Sequence, residues 1–401
     1  MKPFVAIDAA PCGGSRSGGA ATLSEFAIAM DVAGARVALT ATHGRWWLRS
    51  QGCRGPLMQF PIIQWETMKT LPPEERLRFR TKRLALRPVL RRASQVVDWV
   101  ERLTVSRNYV SGNAAIFVSS AHPNRGRARA FPEARTVLNH AGAPETMMEW
   151  WLPGGSGDEQ FRAYRDRVRS YSFVLFQAFS HARDAIDSGA VSAQAAVVLH
   201  PSCDEIAMSL AVRAPSPFVE GRRAVVYVGS LQRRKDQESA IRAFHLIATR
   251  HGDVDLHLVG EGEASTYGLQ MLALVESLGL NGRVRFWGHR SDHERFLAHA
   301  AVVLQTSRSE GVSRTLREGA YLGKPTVATA LSGTVELFGQ LGAWLCAPGS
   351  IEEISEAISD ALGGRGAVER GQAARERYLK EWSREQYLSE VSQLSRRWGL
   401  T

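Results

Sequence analysis

The sequence predicts an α/β protein with two domains, each built on a parallel sheet that helices cover. Short apolar runs alternate with amphipathic helical segments along most of the chain, which is the pattern of repeated βαβ units. A length of 401 residues is more than one hydrophobic core usually serves, so two domains are expected. Between the two series of strands, residues 213–223 (RAPSPFVEGRR) combine prolines with charged residues, which is the composition of a linker.

The chain is strongly basic, with a formal net charge of +10. This balance favours an anionic substrate, a polyanionic partner or a membrane surface. The four cysteines, Cys12, Cys53, Cys203 and Cys346, show no metal-like spacing and no local pairing, which indicates a reducing compartment. The chain begins directly with a strand pattern, and no apolar run reaches the ~20 residues that a membrane-spanning helix needs. We therefore expect a cytoplasmic protein that can associate peripherally with the inner face of the membrane.

The N-terminal series opens with a strand, a glycine-rich loop, a helix and a second strand, at 4–7, 12–20, 22–33 and 37–40. This is a βαβ unit with a glycine-rich first turn, as in doubly wound nucleotide-binding folds. Glycines such as Gly18 and Gly19 either only permit a tight turn or let the backbone approach a phosphate or a sugar closely. The loop alone does not decide between the two.

Four further apolar runs complete this series, at 115–119, 136–138, 173–177 and 197–199. His140 follows the second of them, where a strand of an open α/β sheet ends and ligands gather. It is therefore a candidate to face a cleft, although a lone histidine often has only a structural role. Between 145 and 169, the tryptophans 150 and 151 and the segment 153–157 indicate a mobile or acceptor-facing loop.

Residues 74–102 form a strongly basic segment, with nine Lys or Arg against four Asp or Glu and apolar residues interleaved. Pro88 is expected to split it into two helices. A basic amphipathic helix can lie on anionic lipid, and the alternative is a solvated helix face. Salt-sensitive pelleting with anionic vesicles would separate the two. The tryptophans do not interleave with this segment as a stacking platform would, so no nucleic-acid partner is expected.

After the linker, a second alternation of strands and helices begins. Its strands are expected at 225–228, 256–259, 284–286, 302–304, 326–328 and 344–346. Helices are expected between them, at 237–250, 267–278, 292–300 and 313–322. The segment 368–398 reads as one or two charged helices.

One segment of this second series, residues 301–329, contains several candidate functional residues. It reads as strand, turn, helix, turn, strand, with Gly323 and Pro325 ending the helix. Glu310 and Glu318 flank the start of that helix, whose first N–H groups point outward. The sequence therefore predicts an anion site with an acid on each side.

Five motifs in this half resemble, in the same order, those of the retaining GT-B glycosyltransferases of the large family conventionally numbered four, the glycosyl transferases group 1. They stand at 226–235 (VYVGSLQRRK), 256–262 (LHLVGEG), 284–289 (VRFWGH), 307–318 and 322–329. Ser332, Gly333 and Glu336 are similar to the family's next motif, Gly-Gly-x-x-Glu. The resemblance covers about 225–362 well and covers the N-terminal half only through the Gly18–Gly19 loop and the order of elements.

The resemblance implies the GT-B fold, in which two Rossmann-like domains face each other across a cleft and a C-terminal helix crosses back to the N-terminal domain. The expected parts are an acceptor-binding domain, the linker, a nucleotide-sugar-binding domain and the returning helix, at 1–212, 213–223, 224–380 and 381–401.

The resemblance also implies the activity. A glycosyltransferase of this family moves a sugar from a nucleotide-sugar donor, here a UDP- or GDP-sugar, to a glycan, lipid-linked or small-molecule acceptor with retention of anomeric configuration. It requires no metal and no other cofactor. The alternative reading is a non-catalytic GT-B protein that serves as a binding partner or scaffold through its basic surface.

By the same resemblance, Glu318 takes the ribose hydroxyls, Glu310 contacts the donor sugar near the reacting carbon, and Lys235 supplies a cation to the diphosphate. The catalytic residues are expected to be Glu310 and His140. The donor-binding residues are expected to be Gly18, Gly19, Ser230, Arg234, Lys235, Gly288, His289, Arg314, Thr315, Leu316 and Glu318.

The chain departs from the family pattern around the diphosphate. Ser230 stands where the family usually has arginine, and Arg233, Arg234 or Arg314 could replace that cation. Asp236 stands where a glycine is common. The acids of Asp253-Val-Asp255 have the spacing of a metal-binding motif, but they precede a strand and are read as turn residues, so no metal site is expected there.

Overall fold

The computed structural model describes residues 4–8, 18–41, 62–64, 114–119, 134–140, 142–152 and 154–400. The chain forms two compact units. The first comprises residues 1–176, 182–199 and 388–401, and the second comprises residues 177–181 and 200–387. Residues 200–212 thus group with the second unit although they lie in the predicted range 1–212, and the predicted domain ranges themselves stay a prediction.

The first unit contains a parallel sheet of seven strands among the described residues, in the order β3-β2-β1-β4-β5-β6-β7. The order reverses at β1, as in a doubly wound fold. The strands are β1 (Phe4–Asp8), β2 (Val37–Ala41), β3 (Ile62–Gln64), β4 (Ala114–Ser119), β5 (Arg135–His140), β6 (Phe173–Phe176) and β7 (Ala196–Val198).

Helices pack on this sheet through apolar side chains. Met147 and Tyr164 are fully buried in one cluster with Leu138, Val174 and Phe176 of the strands. The helices are α1 (Gly18–Val32), α2 (Pro144–Trp151), α3 (Gly157–Val168) and α4 (Phe179–Asp187), of which α4 begins in the second unit.

The last residues of the described chain belong to the first unit. The Trp398 ring lies 5.5 Å from the Phe173 ring, between centroids, and the Trp398 carbonyl accepts a hydrogen bond of 2.6 Å from Arg135. Trp398 is only 3% exposed, so its ring is part of the core of this unit.

The second unit contains a parallel sheet of six described strands in the order β10-β9-β8-β11-β12-β13. Its chain order reverses between β8 and β11, so the ends of these two strands form the position where open sheets bind ligands. The strands are β8 (Arg223–Val228), β9 (Val254–Val259), β10 (Val284–Phe286), β11 (Val302–Gln305), β12 (Thr326–Thr329) and β13 (Trp344–Cys346).

The largest core of the second unit lies between this sheet and its helices. Tyr227 and Leu256 from the strands are buried with Phe244, Ile247 and Ile358 from the helices. The helices are α5 (Glu205–Arg213), α6 (Gln237–Ala248), α7 (Thr266–Ser277), α8 (His293–Ala298), α9 (Arg314–Tyr321), α10 (Ser332–Phe338), α11 (Ile351–Ala361), α12 (Arg365–Glu381) and α13 (Arg384–Arg397), of which α13 continues into the first unit.

The predicted strands are confirmed to within two residues at each end, whereas two loop predictions are wrong. The segment 145–169 forms helices α2 and α3. A capping box starts α3, since the Ser156 side chain accepts the Glu159 N–H and the Glu159 carboxylate accepts the Ser156 N–H. Helix α1 begins at Gly18, within the range 12–20 that was predicted to be a glycine-rich loop.

Of the acids at 253 and 255, Asp253 lies in the turn before β9, as predicted. Asp255 differs from the prediction, because β9 begins at Val254 and Asp255 lies inside the strand. Asp255 is buried and accepts hydrogen bonds from Arg222 and Arg283, while Asp253 pairs with Arg223. Both carboxylates are therefore engaged by arginines.

The basic segment 74–102 lies outside the described residues, so the membrane-surface prediction stays a prediction. Within the part of the chain that the structure describes, no helix combines the length and the apolar character that crossing a bilayer requires.

Candidate active site

The candidate site lies at the carboxyl ends of β8 and β11, the reversal point of the second sheet. A short 3-10 helix, Arg233–Lys235, follows β8, and the loop carrying Glu310 follows β11. Helix α9 begins four residues after Glu310 and carries Glu318. The predicted Glu310, Glu318 and Lys235 thus all lie in this unit, on segments that leave the two central strands.

Glu310 is held by cations. One of its carboxylate oxygens accepts hydrogen bonds from the Lys235 ammonium and, at 2.9 Å, from the Ser307 hydroxyl. The Arg234 guanidinium lies 3.6 Å from the same oxygen. Burial acts to raise the pKa of Glu310, but the charges of Lys235 and Arg234 outweigh it, so the pKa lies below its ordinary value. Glu310 is therefore ionised near neutral pH and can accept hydrogen bonds but not donate a proton.

The backbone that presents these cations is fixed at three successive carbonyls. The Arg234 carbonyl accepts the Arg308 N–H at 2.8 Å, the Lys235 carbonyl accepts the Tyr227 hydroxyl, and the Asp236 carbonyl accepts the Thr306 hydroxyl at 2.7 Å. All three donors belong to β8 or to the segment that follows β11. The loop is thus tied to the two strands whose ends define the site.

Asp236 shows why a glycine is usual at its position. Its φ of 51° lies in the left-handed region, which non-glycine residues occupy only with strain. The Asp236 carboxylate accepts hydrogen bonds from the Ser239 amide and hydroxyl at the start of α6, and it pairs with Arg308 at 2.9 Å. These contacts offset the strain, since an N-cap acid stabilises a helix by about 1 kcal/mol.

Glu318 is buried with one carboxylate oxygen satisfied and the other not. Its Oε1 lies 3.3 Å from His293 Nε2 and 3.8 Å from Arg314 Nε. Its Oε2 is buried and has no hydrogen-bond partner among the described residues. Burial acts to raise the pKa of Glu318, but the contact with His293 and the charge of Arg314 outweigh it, so the pKa lies below its ordinary value. A buried carboxylate oxygen without a donor is costly, which points to a ligand hydroxyl as its partner.

At the start of α9, the side chains of Thr315 and Leu316 are not available to a ligand. The Thr315 hydroxyl already donates to the Val228 carbonyl at 3.1 Å, and the Leu316 side chain is buried in the core. Ser313 occupies the N-cap position, and its side chain makes no capping hydrogen bond. The first N–H groups of the helix therefore carry the positive end of its dipole without a side-chain cap.

The other predicted donor-binding positions lie in loops at the same edge of the sheet. The Ser230 carbonyl accepts a hydrogen bond of 3.0 Å from Gln237, so the residue at the family's arginine position is bonded through its backbone. Gly288 has a φ of 60°, and the Glu263 carboxylate lies 3.4 Å from where its Cβ would be. His289 beside it is exposed.

The predicted residues of the N-terminal half lie in the first unit. Gly18 and Gly19 form the first turn of α1. His140 ends β5 and is fully buried, with Nδ1 2.8 Å from the Gly142 carbonyl and Nε2 3.0 Å from the Tyr164 hydroxyl. Both ring nitrogens thus have protein partners, which is the structural role weighed above. The catalytic assignment of His140 stays a prediction.

Sequence reasoning missed His293, the partner of Glu318. Burial acts to lower the pKa of His293, but the adjacent Glu318 carboxylate outweighs it, so the pKa lies above its ordinary value. His293 begins α8 and lies outside the motifs quoted in the sequence analysis. Only the packing of α8 beside α9 brings the two side chains together.

A separate, partly buried cluster surrounds Glu336, whose role the sequence left open. Its two oxygens accept the N–H groups of Phe179 and Ser180, both at 2.7 Å, and one oxygen lies 3.1 Å from His200 Nε2. Burial acts to raise the pKa of Glu336, but the hydrogen bonds from His200 and the two amides hold it at about 2. The His200 ring also lies 4.2 Å from the Trp382 ring, between centroids. Glu336 therefore anchors two segments at which the chain passes between the units.

The family model named glycosyl transferases group 1 matches residues 222–363. The match contains β8 to β13 and every described partner of Glu310 and Glu318. Its bounds agree with the stretch on which the motif resemblance rests.

Two curated relatives each match somewhat more than a third of the chain. N-acetyl-alpha-D-glucosaminyl L-malate synthase of Bacillus anthracis is 28% identical over 140 residues, which is 34% of this chain and 35% of the relative. Lipopolysaccharide glucosyltransferase WaaG of Escherichia coli is 27% identical over 154 residues, which is 37% of this chain and 40% of the relative. The matched segment thus spans little more than a third of either relative's length.

Solved structures match over nearly the whole chain. The structure of HepE from Anabaena in complex with UDP-glucose has a TM-score of 0.69 and 16% identity, covering 99% of this chain and 100% of that chain. A glycosyltransferase from Rickettsia africae has a TM-score of 0.70 and 13% identity, covering 99% of both chains. Likeness at such low identity establishes the fold, which is GT-B.

Proposed function

Because residues 222–363 belong to the glycosyl transferases group 1, we propose that this chain transfers a sugar from a nucleotide-sugar donor to an acceptor. The donor would bind at the carboxyl ends of β8 and β11, with its ribose at Glu318 and its diphosphate between Lys235 and the start of α9. The observation that carries the proposal is the buried Oε2 of Glu318, which has no hydrogen-bond partner among the described residues.

A ribose suits this carboxylate. Its neighbouring hydroxyls present two donors side by side, and a carboxylate can accept both, as acidic residues do in dinucleotide sites. The lowered pKa of Glu318 keeps the carboxylate ionised near neutral pH, so that it accepts rather than donates. His293 and Arg314 approach Oε1 and leave Oε2 to the ligand.

The positive groups suit a leaving diphosphate. When the bond from the sugar to the outer phosphate breaks, negative charge builds on the phosphate oxygens, and fixed cations and N–H groups stabilise it. Lys235 and the uncapped start of α9 supply both kinds of group. Because Lys235 is paired with Glu310 before any ligand arrives, its position requires no rearrangement of the loop.

Retention of anomeric configuration and independence from a metal are parts of the proposal that the family resemblance suggests. The cations of the protein support the second, since they neutralise phosphate charge where other enzymes use a divalent ion. Glu310, ionised and buried beside Lys235, would accept hydroxyls of the donor sugar. The acceptor would be a glycan, a lipid-linked intermediate or a small molecule. The printed names of the two relatives include lipopolysaccharide and L-malate, each for that protein.

A non-catalytic binding protein has less support. The described residues include both carboxylates, the lysine and the helix start that the chemistry uses, and the relatives named above are enzymes. The departure at Ser230 leaves the number of diphosphate cations as the open question.

The test is a screen of UDP-, GDP- and ADP-sugars for binding, hydrolysis and transfer. Wild type is expected to bind at least one of them, and Glu318→Ala is expected to lose about 10- to 100-fold in affinity, because hydrogen bonds to a charged group are worth about 1.5–3 kcal/mol. Glu276→Gln, at an exposed position of α7, is the control. The anomeric signal of the product by NMR tests retention, and transfer in EDTA tests metal independence. If no nucleotide sugar binds or turns over with any acceptor, the proposal fails.

A further inference from the structure

The diphosphate of a nucleotide sugar carries two negative charges, and a third develops when the sugar leaves. Lys235 alone is a poor match for them, because Glu310 already neutralises much of its charge. The second unit places further arginines near the site, at 233, 234 and 314. The three arginine side chains point in different directions and have different contacts.

Arg233 points away from Glu310 and Glu318. Its guanidinium donates to the Gln270 side chain at 3.3 Å and lies 5.9 Å from the centre of the Tyr267 ring. Both partners belong to α7, which follows β9. Arg233 is therefore occupied on the outer side of the 3-10 helix.

Arg314 belongs with Glu318. Its Nε lies 3.8 Å from Glu318 Oε1, four residues along the same helix, and nearly half of its side chain is exposed. A cation in this position acts on the carboxylate proposed for the ribose. The described contacts do not join it to Lys235 or to Glu310.

Arg234 is the arginine that approaches the Lys235–Glu310 pair. Its Nη1 lies 3.6 Å from the Glu310 oxygen that Lys235 contacts, and its Nε donates to the Gln232 side chain at 3.1 Å. The carbonyl of Arg234 is bonded to the Arg308 amide, so its backbone is fixed as well. Two cations thus converge on one carboxylate oxygen.

We propose that Arg234 is the second cation of the donor diphosphate and that, with Lys235, it binds the outer phosphate, the one attached to the sugar. It would do the work of the arginine that Ser230 lacks, from four residues further along the same loop. Glu310 then acts additionally as a positioning residue that holds both cations before the donor binds. The inference rests on the proposed function, because it assumes a nucleoside diphosphate in this site.

The outer phosphate provides an experimental test of which arginine binds the diphosphate. A nucleoside diphosphate has it, and the corresponding monophosphate lacks it, while base and ribose are the same in both. Loss of a charge-assisted hydrogen bond to a phosphate is worth about 1.5–3 kcal/mol, or about 10- to 150-fold in affinity. A cation of the outer phosphate should therefore lower the affinity for the diphosphate by that factor and leave the monophosphate nearly unchanged.

The experiment measures UDP, UMP, GDP and GMP binding to the full chain by isothermal titration calorimetry. Arg234→Gln is expected to weaken binding of the preferred diphosphate about 10- to 100-fold and of its monophosphate less than about threefold. Arg233→Gln is the matched control, one residue away on the same helix, and should change neither. Arg314→Gln should change both ligands by the same factor, because it acts beside the ribose carboxylate. Arg234→Lys should restore part of the loss, and melting temperatures of all variants check that each is folded.

Several results would overturn the assignment. An unchanged ratio of diphosphate to monophosphate affinity in Arg234→Gln would remove Arg234 from the outer phosphate. A selective loss of diphosphate affinity in Arg233→Gln or Arg314→Gln would give the role to that arginine instead. If Glu318→Ala abolishes binding while Arg234→Gln behaves as wild type, only this inference fails. If no nucleotide binds wild type, the proposed function fails first and the inference with it.

Discussion

Replacement of Glu336 by glutamine should destabilise the second unit severely although the two side chains have nearly the same shape. The carboxylate accepts two backbone N–H groups and contacts His200. A glutamine side chain has one carbonyl oxygen, so its amide NH2 would face an N–H donor that remains without a partner. The N–H groups affected belong to Phe179 and Ser180, where α4 begins.

The magnitude follows from the pKa of Glu336. Its hydrogen bonds lower the pKa from 4.5 to about 2, and each unit corresponds to about 1.36 kcal/mol of free energy. The ionised carboxylate thus contributes roughly 3 kcal/mol to stability near neutral pH. For a unit of this size, such a loss lowers the melting temperature by roughly 6–12 °C.

The sign of the pH dependence is also fixed. Because the folded pKa of Glu336 is depressed, its contribution is complete above pH 4.5, the ordinary value, and is lost as the pH falls towards about 2. Urea unfolding followed by circular dichroism at pH 7 and pH 4 should therefore show a smaller difference between wild type and Glu336→Gln at the lower pH. Glu353→Gln is the control, since Glu353 accepts one backbone N–H, that of Ala347, at an exposed position.

Two results would contradict the reasoning. A loss below about 1 kcal/mol at pH 7 would show that the carboxylate is no better than an ordinary exposed acceptor. A difference that stays constant between neutral and acidic pH would show that the loss comes from packing rather than from the charge of Glu336.

Two further predictions concern the other contacts described above. His293→Gln should destabilise the protein most below pH 6.5 and progressively less as the pH rises. The reason is that Glu318 raises the folded pKa of His293, so the stabilisation is lost as the pH rises through that pKa. Urea midpoints from pH 6 to pH 9 measure the effect, and a loss of stability that does not vary with pH would refute this prediction. Trp398→Ala should destabilise the first unit by about 3–5 kcal/mol, because the ring is buried against Phe173. Amide hydrogen exchange in β5 should become faster, and unchanged protection of the β5 amides would show that Trp398 does not stabilise that strand.

All described strands except β3 (Ile62–Gln64) were predicted from the sequence, because a buried parallel strand is a short apolar run with polar residues at its ends. The acids at 310 and 318 could be predicted because their spacing around a strand–helix unit is local. The directions of the side chains at 233, 234 and 235 could not be predicted from the sequence. In a 3-10 helix each successive side chain is rotated by about 120°. Which of the three cations lie near Glu310 therefore depends on the hydrogen bonds that hold this helix against β8 and the segment after β11.

Contacts between side chains of different helices could not be predicted from the sequence either. His293 meets Glu318 only because two helices pack side by side, and no periodicity marks that contact. The helices within 145–169 were missed because the tryptophans 150 and 151 and the segment 153–157 were interpreted as a loop. The Ser156–Glu159 capping box, which marks the start of α3, is visible in the sequence.

The position of residues 388–401 in the first unit has a consequence for how the protein is made. Trp398 and the carbonyl that Arg135 binds are synthesised after the whole second unit. During translation the second unit can therefore complete its sheet while the first still lacks part of its core. The usual order, in which the N-terminal domain folds first, is reversed for the final step. Until the ribosome has added Trp398, the apolar side chain of Phe173 lacks one of its aromatic neighbours.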